Sequence, residues 1–358
     1  MARRQRTDTI IQLQLRLKQT VKRTPVIFTR LAPAKVTVVY DTYWRFAAER
    51  QRIFFQRVNG EAPPWTDDPT LRQYKFTNAY RASDRVSQYL IRRVIYEGDQ
   101  SLEEIVFRTL LFKFFNKVGT WELLERAFGT VWSTDYSVKH YGSVLERALS
   151  TGIPIYSAAY IMPSGGRSLI RERKHCMHLK LLERMMRDKL PDRLADAHSM
   201  KEAFELLRSY PTIGDFLAYQ YVTDLNYSTI LNYSEMEFVV PGPGARDGIR
   251  KCFEDLGGLN GTEIIKVIAD RQESEFERLE LPFQTLWGRR LQLIDCQNLF
   301  CEVDKYSRIE HPEISGVTGR TRIKQRYRIS SAPIPYWYPP KWGLNERIKE
   351  GGQYVSSI

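Results

Sequence analysis

Apolar residues recur at every third or fourth position over most of this chain, from residue 40 to residue 309. This spacing places them on one face of an α-helix, whereas a half-buried strand would carry them at every second position. In Tyr40–Val58, for example, Tyr43, Phe46 and Phe54 belong to one apolar stripe. The pattern predicts an all-α fold.

Further helices are predicted in the segments that share this spacing: Asp84–Glu97, Ser101–Phe115, Thr120–Phe128, Val138–Leu149, Ser168–Leu190, Met200–Tyr210, Ile213–Leu225, Ala245–Leu256, Thr262–Leu279 and Arg290–Ile309. Two short apolar runs, Lys35–Tyr40 and Pro154–Met162, are predicted to be strands or buried extended segments. No apolar run approaches the roughly 18 residues of a membrane span. With no secretory signal and only four cysteines, the chain is expected to be cytoplasmic, without a membrane partner.

Positive charge is concentrated in the two flanks of the chain, whose net charge is +12. Residues 1–36 carry nine Lys or Arg and one acid, and residues 318–328 carry five cations and no acid. The middle, residues 37–317, is nearly neutral. Such clustering is typical of proteins that bind a polyanion, and the alternative is a solvated basic tail that binds no partner.

The cations of the second cluster occupy every other position: Arg320, Arg322, Lys324, Arg326 and Arg328. In an extended strand, side chains at this spacing all project from one edge. A row of cations of this kind suits the phosphates along one strand of nucleic acid. Because no amphipathic apolar face accompanies the row, nucleic acid is favoured over an anionic membrane.

These features predict three parts: a basic N-terminal segment at 1–36, a helical catalytic domain at 37–309, and a basic, aromatic C-terminal arm at 310–358. The proline and tryptophan residues of the arm are expected to pack onto the helical body. The sequence His175-Cys-Met-His178 is a His/Cys cluster, but no CxxC or HExxH motif accompanies it. No metal and no other cofactor are therefore expected.

An unusual run of polar and aromatic residues leads into the second predicted helix: Phe76, Thr77, Asn78, Tyr80, Arg81 and Asp84. Rings that stack on a base, an amide that reads its edge and an arginine that holds phosphate would suit a nucleotide flipped out of DNA. The alternative is a capped helix start with an internal Arg81–Asp84 pair.

Two glycine turns precede later helices. Ile213 and Gly214 lie in a Pro-x-Ile-Gly sequence typical of a helix-hairpin-helix element, whose backbone N–H groups hold a DNA phosphate. A Pro-Gly-Pro-Gly turn containing Gly242 and Gly244 opens another helix. These four residues are predicted to contact DNA.

Two acidic residues, Asp224 and Glu237, flank the link between these helices. Carboxylates in one pocket would stabilise a cationic sugar or activate a nucleophile. Alternatively, they are helix caps or members of structural ion pairs.

The last long helix carries a polar stripe at three- and four-residue steps: Asp295, Asn298, Glu302, Lys305 and Tyr306. These residues share one helix face. The stripe is interpreted either as the wall of an active site that binds the base or as a buried hydrogen-bond network.

Three ordered segments, 75–85, 239–245 and 295–306, resemble the alpha-glutamyl/putrescinyl thymine pyrophosphorylase family. That family is similar to the helical domain of 5-hydroxymethyluracil DNA kinases. The resemblance covers the chain from about Tyr40 to Arg308. It implies a helical fold related to helix-hairpin-helix DNA glycosylases and activity on hypermodified pyrimidines in phage DNA. From the charge pattern, the termini that flank this fold are expected to be basic and partly extended.

One departure concerns the catalytic acid. Helix-hairpin-helix glycosylases usually carry an Asp at the turn after the hairpin, and this chain has Pro241, Gly242 or Pro243 there. Glu237 is the nearest substitute and Asp224 the next.

The resulting prediction is a monomeric DNA glycosylase that excises a 5-hydroxymethyl-derived, for example glucosylated, pyrimidine from phage DNA as an antiviral defence. The alternative is a transferase that joins an amino acid or amine to an activated 5-hydroxymethyluracil in DNA. A third hypothesis is a non-catalytic reader of modified DNA.

Overall fold

A computed structural model describes residues 34–159, 162–163, 173–329 and 334–350. Most of the predicted basic N-terminal segment therefore lies outside the described residues. Helices make up most of the described chain, as the 3–4 spacing of apolar residues predicted, and the all-α class is confirmed. The predicted relationship to helix-hairpin-helix glycosylases is more specific than this class and remains a prediction.

The α-helices follow one another along the chain as α1 (Val38–Val58), α2 (Pro69–Gln73), α3 (Arg85–Tyr89), α4 (Leu102–Phe115), α5 (Val118–Phe128), α6 (Val138–Ser150), α7 (Lys174–Arg187), α8 (Leu190–Ala195), α9 (Met200–Arg208), α10 (Asp215–Leu225), α11 (Pro243–Cys252), α12 (Gly261–Arg278), α13 (Leu293–Glu310) and α14 (Asn345–Glu350). Helix α3 continues as a π-helix over Leu90–Tyr96. Short 3-10 helices occur at Arg81–Ser83 and Pro340–Trp342.

A small antiparallel sheet joins β1 (Lys35–Val36) to β2 (Phe253–Asp255). The predicted helix Ala245–Leu256 therefore ends early, because its last residues pair with β1 instead of continuing the turn. The second run, Pro154–Met162, forms no strand over residues 154–159, but Ile155 and Met162 are buried, which fits the alternative of a buried irregular segment; residues 160–161 lie outside the described residues.

Of the predicted helix Ser168–Leu190, residues 168–172 lie outside the described residues; the described part contains α7, which ends at Arg187 and is followed by α8. Lys189, between the two, has a left-handed φ of 54°, which no helix continues through. Pro191 then occupies the first turn of α8, where its missing N–H costs no hydrogen bond. Two short helices replace one long helix here.

The core is built around α1 and α4. Tyr43 and Trp44 of α1 are almost wholly buried and their rings meet edge to face at 4.9 Å. Along α4, the residues from Glu104 to Phe115 are all buried. A helix that is buried all round needs neighbours on every side, and α4 contacts α5, α7, α8 and α10.

Helices α11 and α13 approach each other unusually closely at Gly248. A Cβ atom placed on this glycine would lie 2.0 Å from the carbonyl oxygen of Phe300 in α13. The same face of α11 carries Gly244, where a Cβ would lie 2.4 Å from the Sγ of Cys301. Because the obstacle at Gly248 is backbone, no rotamer change can relieve it.

Replacing Gly248 with Ala is therefore expected to force α11 and α13 apart and to lower the free energy of unfolding by about 1–3 kcal/mol. Chemical denaturation measures the change. The matched control is Gly119→Ala in α5, where a Cβ meets nothing within 4 Å and which should gain a little helix propensity. Equal stability of the two variants would contradict the close approach.

The C-terminal arm packs aromatic side chains onto the helical body, as predicted. Tyr338 is fully buried, the Trp337 ring meets Tyr96 at 4.8 Å, and Trp342 meets Tyr227 at 5.5 Å. All four cysteines are free thiols. Over the described residues, no helix combines the length and the apolar character needed to cross a bilayer.

Candidate functional site

A cavity of about 750 Å³ lies between α1, the segment around residues 63–85 and the arm near residues 326–334. Its walls carry a cluster of basic side chains: Arg50, Arg57, Arg72, Lys75, Arg85, Arg326 and Arg328. The aromatic residues of the walls are Trp65, Tyr74, Phe76 and Tyr327. Among the described residues that line the cavity, Asp84 is the one carboxylate.

One wall is made by the C-terminal arm, which pairs with the segment before the polar run. Tyr74 and Arg326 form an antiparallel bridge, in which Lys75 N donates to Gln325 O and Tyr327 N donates to Gln73 O, both at 3.0 Å. The guanidinium of Arg326 also lies over the Tyr74 ring, 4.6 Å from its centre. The arm is thus fixed against the cavity by backbone as well as side-chain contacts.

Asp84 begins α3 and is half-buried at the cavity wall. Its Oδ1 accepts a hydrogen bond from the backbone N–H of Asn78 at 2.8 Å, and within the described part of the chain its Oδ2 has no hydrogen-bond partner. Burial raises the pKa of Asp84 to about 7, and the nearby charge of Glu302 adds to the effect, against Arg50 and Arg81. A carboxylate with a pKa near neutrality can both take up and release a proton at working pH.

Asn78 is held in place by its neighbours. Its Oδ1 accepts from Arg50 at 3.2 Å and its Nδ2 donates to the carbonyl of Ser83 at 2.8 Å. Arg50 also donates to the carbonyl of Thr77. Asn78 therefore lies at the cavity wall with both amide atoms bonded, and it fixes the loop that presents Asp84.

Three residues of the polar stripe of α13 form hydrogen bonds to the same loop. Asn298 donates to the hydroxyl of Thr77, Glu302 accepts from the backbone N–H of Thr77, and Asp295 accepts from the backbone N–H of Arg81. Burial raises the pKa of Asp295 to about 7. These contacts are those of the buried hydrogen-bond network, one of the two interpretations left open, and contact of the stripe with a base remains an untested prediction.

The last two residues of the stripe pack around Phe76. Lys305 pairs with Glu302 at 2.7 Å and lies 4.6 Å from the centre of the Phe76 ring. Tyr306 donates to Asp68 at 2.6 Å and its ring meets Phe76 at 5.9 Å. They support Phe76, which is 8% exposed and lines the cavity.

Tyr80 and Arg81 turn away from the cavity into the interior. The Tyr80 hydroxyl donates to Arg289 O at 2.6 Å and accepts from Leu286 N. The guanidinium of Arg81 forms two hydrogen bonds to Asp224, at 2.7 and 3.1 Å, whereas the sequence had left open a local pair with Asp84.

Asp224 is fully buried between two cations. Besides Arg81, it contacts Lys113 at 3.0 Å. Burial alone would raise the pKa of Asp224, but the charges of Arg81 and Lys113 hold it below its usual value. Here Asp224 is a structural counter-ion, one of the two alternatives that the sequence left open, and its catalytic role is an untested prediction.

Glu237 is exposed in a turn before α11 and does not line the cavity. The structure therefore does not bring Glu237, Asp224 and the polar run together at one cavity. Catalysis by Glu237 also remains a prediction.

The predicted DNA-contacting glycines differ in their surroundings. Gly214 is exposed at the start of α10, next to the buried Ile213, and helices α9 and α10 pack together as a hairpin. At Gly242 a Cβ would lie 2.6 Å from the Phe216 ring, so close packing accounts for glycine there, as it does at Gly244. Contact of these residues with DNA is untested.

The alternating cations of the arm are all exposed: Arg320, Arg322, Lys324, Arg326 and Arg328. Between them, Ile323 is buried and Tyr327 half-buried, as expected where an extended chain turns alternate residues inward. Only the last two of the five line the cavity.

Sequence reasoning missed the basic residues contributed by α1. Arg50 and Arg57 are seven residues apart, two helical turns, so they share a face. That spacing was a usable signal. Trp65, with Arg57 5.1 Å from its ring centre, was also missed as a cavity residue.

The expectation of no metal and no cofactor remains a prediction. Over the described residues, no group of three or more His, Cys, Asp or Glu side chains is arranged to hold a metal ion. His178 bonds to Tyr156 and to the carbonyl of Pro163, and burial lowers its pKa to about 4.

Residues 37–316 match the family model of the 5-hmdU DNA kinase helical domain, and the chain belongs to that family. This confirms the resemblance seen in the three sequence segments. The chain is also 28% identical, over 300 residues, to the 5-hmdU DNA kinase of Bacillus phage SP10. The alignment covers 77% of this chain and 46% of the relative, so the chain spans about half the length of that relative. No solved structure gives a significant match.

Proposed function

We propose that this protein is an enzyme that acts on a 5-hydroxymethyl-derived pyrimidine in DNA, and that the target nucleotide is bound in the cavity beside Asp84. The observation that carries the proposal is the composition of that cavity: a cluster of cations, several aromatic rings and one carboxylate with a pKa of about 7. The kinship with a protein named as a 5-hmdU DNA kinase supports the choice of base.

The dimensions and charge of the cavity suit a nucleotide. A volume of about 750 Å³ lies within the range of pockets that enclose a small molecule and leaves room for a 5-substituent. Basic side chains such as Arg326 and Arg328 would bind the phosphates on either side of an extruded base. Rings such as Trp65 and Phe76 would stack on the base itself.

For the chemical step we propose hydrolysis of the N-glycosidic bond, with Asp84 as the carboxylate. The C1′–N1 bond breaks and the base leaves with the electron pair, so positive charge develops on the sugar. The ionised Asp84 would stabilise that charge and accept the proton of the attacking water, whose oxygen bonds to C1′. The products are a free base and an abasic site.

Asp84 takes the role first predicted for Glu237 or Asp224 because of its position. It lines the cavity, and its Oδ2 has no hydrogen-bond partner within the described part of the chain, whereas Asp224 is held by Arg81 and Lys113. In phage DNA that carries modified pyrimidines, such excision would serve as an antiviral defence.

The number of cations also favours a second candidate, a base-modifying transferase. Seven Lys and Arg residues line a cavity with one carboxylate, and this excess would also bind an anionic leaving group on the 5-methylene carbon. An amine would displace that group, forming a C–N bond while the C–O bond breaks. Asp84 would take the proton released by the amine.

The test uses oligonucleotides that carry thymine, 5-hydroxymethyluracil or a glucosylated 5-hydroxymethylpyrimidine. Mass spectrometry measures free base, and alkali cleavage reveals abasic sites. We expect both products from the modified DNA and neither from the thymine control. An intact backbone whose mass changes only with an activated 5-substituent and an amine would favour the transferase, and no change in any DNA would contradict both.

A further inference from the structure

An exposed isoleucine, Ile329, lies at the cavity, three residues after Arg326 and next to Arg328. It is 63% exposed to solvent. Other large apolar side chains that are more than half exposed in the described chain are Val38, Ile153 and Val317, and none of these three lines the cavity. An apolar side chain kept in water beside a basic cavity suggests a partner that brings both phosphates and an apolar interior.

We propose that Ile329 is a wedge that enters the base stack of duplex DNA and fills the space left by the extruded nucleotide. The proposal rests on the proposed function, since it presumes that the cavity receives that nucleotide. Base pairs offer an apolar interior between charged backbones, and proteins that distort DNA insert side chains such as Ile or Leu between base steps. The segment of Ile329 has this combination, with exposed cations at every second position before it.

A backbone hydrogen bond and a stacking contact anchor the segment that carries Ile329. Two residues before Ile329, Tyr327 N donates to Gln73 O at 3.0 Å, and Arg326 is stacked on Tyr74. A side chain that separates stacked bases must resist the restoring force of stacking, and an anchored backbone transmits that force to the fold.

Exposed Pro63 and Pro64 also line the cavity. Proline fixes its own backbone angle and has no N–H to bond, so these two residues add a stiff apolar wall without competing for phosphate. The cavity thus combines a rigid apolar wall, an apolar wedge and the cations that would hold the flanking phosphates.

The wedge hypothesis predicts different effects of Ile329 on the turnover of double-stranded and single-stranded DNA. In a duplex, extrusion leaves a gap that Ile329 would fill, whereas a single strand has no partner strand to hold the gap open. Ile329→Ser should therefore lower turnover of 5-hydroxymethyluracil in duplex DNA by about tenfold, the effect of losing roughly half the burial of the side chain. Turnover in the same single-stranded sequence should stay within about twofold of wild type.

The matched control is Val317→Ser, in the same arm, 72% exposed and outside the cavity lining. It should leave turnover of both DNA forms unchanged. A second readout places 2-aminopurine beside the modified base, where loss of stacking raises fluorescence when the protein binds. We expect this rise with wild type and Val317→Ser, and a much smaller rise with Ile329→Ser.

Equal turnover of duplex by Ile329→Ser and wild type would overturn the wedge, and so would an equal loss on duplex and single strand. The fluorescence readout is independent of chemistry. If wild type releases no base but fluorescence rises in an Ile329-dependent way, the proposed glycosylase fails and the wedge stands. No fluorescence rise with wild type overturns the wedge.

Discussion

Replacement of Asp84 with Asn is expected to lower kcat/KM for base release by about 100-fold to 10 000-fold, the range of a lost acid–base group. The amide keeps an oxygen that can accept from Asn78 N–H, so the loop should remain in place. Affinity for modified DNA should stay within a few-fold, because the basic side chains of the cavity are untouched. Single-turnover kinetics and a binding titration measure the two quantities.

The pH profile provides a sharper form of this test. Since burial raises the pKa of Asp84 to about 7 and the ionised form is the active one, wild-type kcat/KM should rise about tenfold per pH unit below pH 7 and level off above it. Asp84→Asn should not show this rise of kcat/KM with pH. The control is Asp67→Asn, an exposed carboxylate outside the cavity lining. Wild-type-like turnover by Asp84→Asn would remove Asp84 from the mechanism.

Replacement of Asp224 with Ala is expected to lower the free energy of unfolding by about 3–5 kcal/mol, because it leaves the cations of Arg81 and Lys113 buried without their counter-ion. Chemical denaturation followed by circular dichroism measures the loss. Asp215→Ala is the control, since its ion pair with Arg208 is about half-exposed, screened by solvent, and should contribute far less to stability.

If Asp224→Ala were as stable as Asp215→Ala, the structural role of Asp224 would be contradicted. Asp224→Asn adds a separate comparison. A variant that keeps its stability and DNA affinity but loses turnover would instead support the catalytic role predicted from the sequence.

Much of the fold could be predicted because helix periodicity is a local property. The bounds of α1 and α6 differ from the predicted ones by at most two residues at each end. The errors come from interactions across the chain. The end of α11, for example, depends on pairing with β1.

Part of the candidate site could be predicted because the spacing of polar residues along the chain is also a local property. The polar run from Phe76 to Asp84 and the stripe on α13 were each recognisable by their spacing, but spacing does not tell which residue faces which. The bonds from Thr77 to Asn298 and from Arg81 to Asp224 join residues more than 140 positions apart. The sequence had left open a local pair between Arg81 and Asp84, and the structure shows the long-range ion pair of Arg81 with Asp224.

The arm that forms one wall of the cavity is anchored by backbone bonds of Gln325 and Tyr327 to Lys75 and Gln73, residues some 250 positions earlier in the chain. During synthesis, the helices that precede the arm can assemble while this wall is still missing, and closing so long a loop comes late because of its entropy. The hydroxyl of Tyr338, 2.8 Å from that of Ser83 beside Asp84, also arrives with the arm. A ribosome-bound or prematurely terminated chain that lacks the arm would thus have an incomplete cavity.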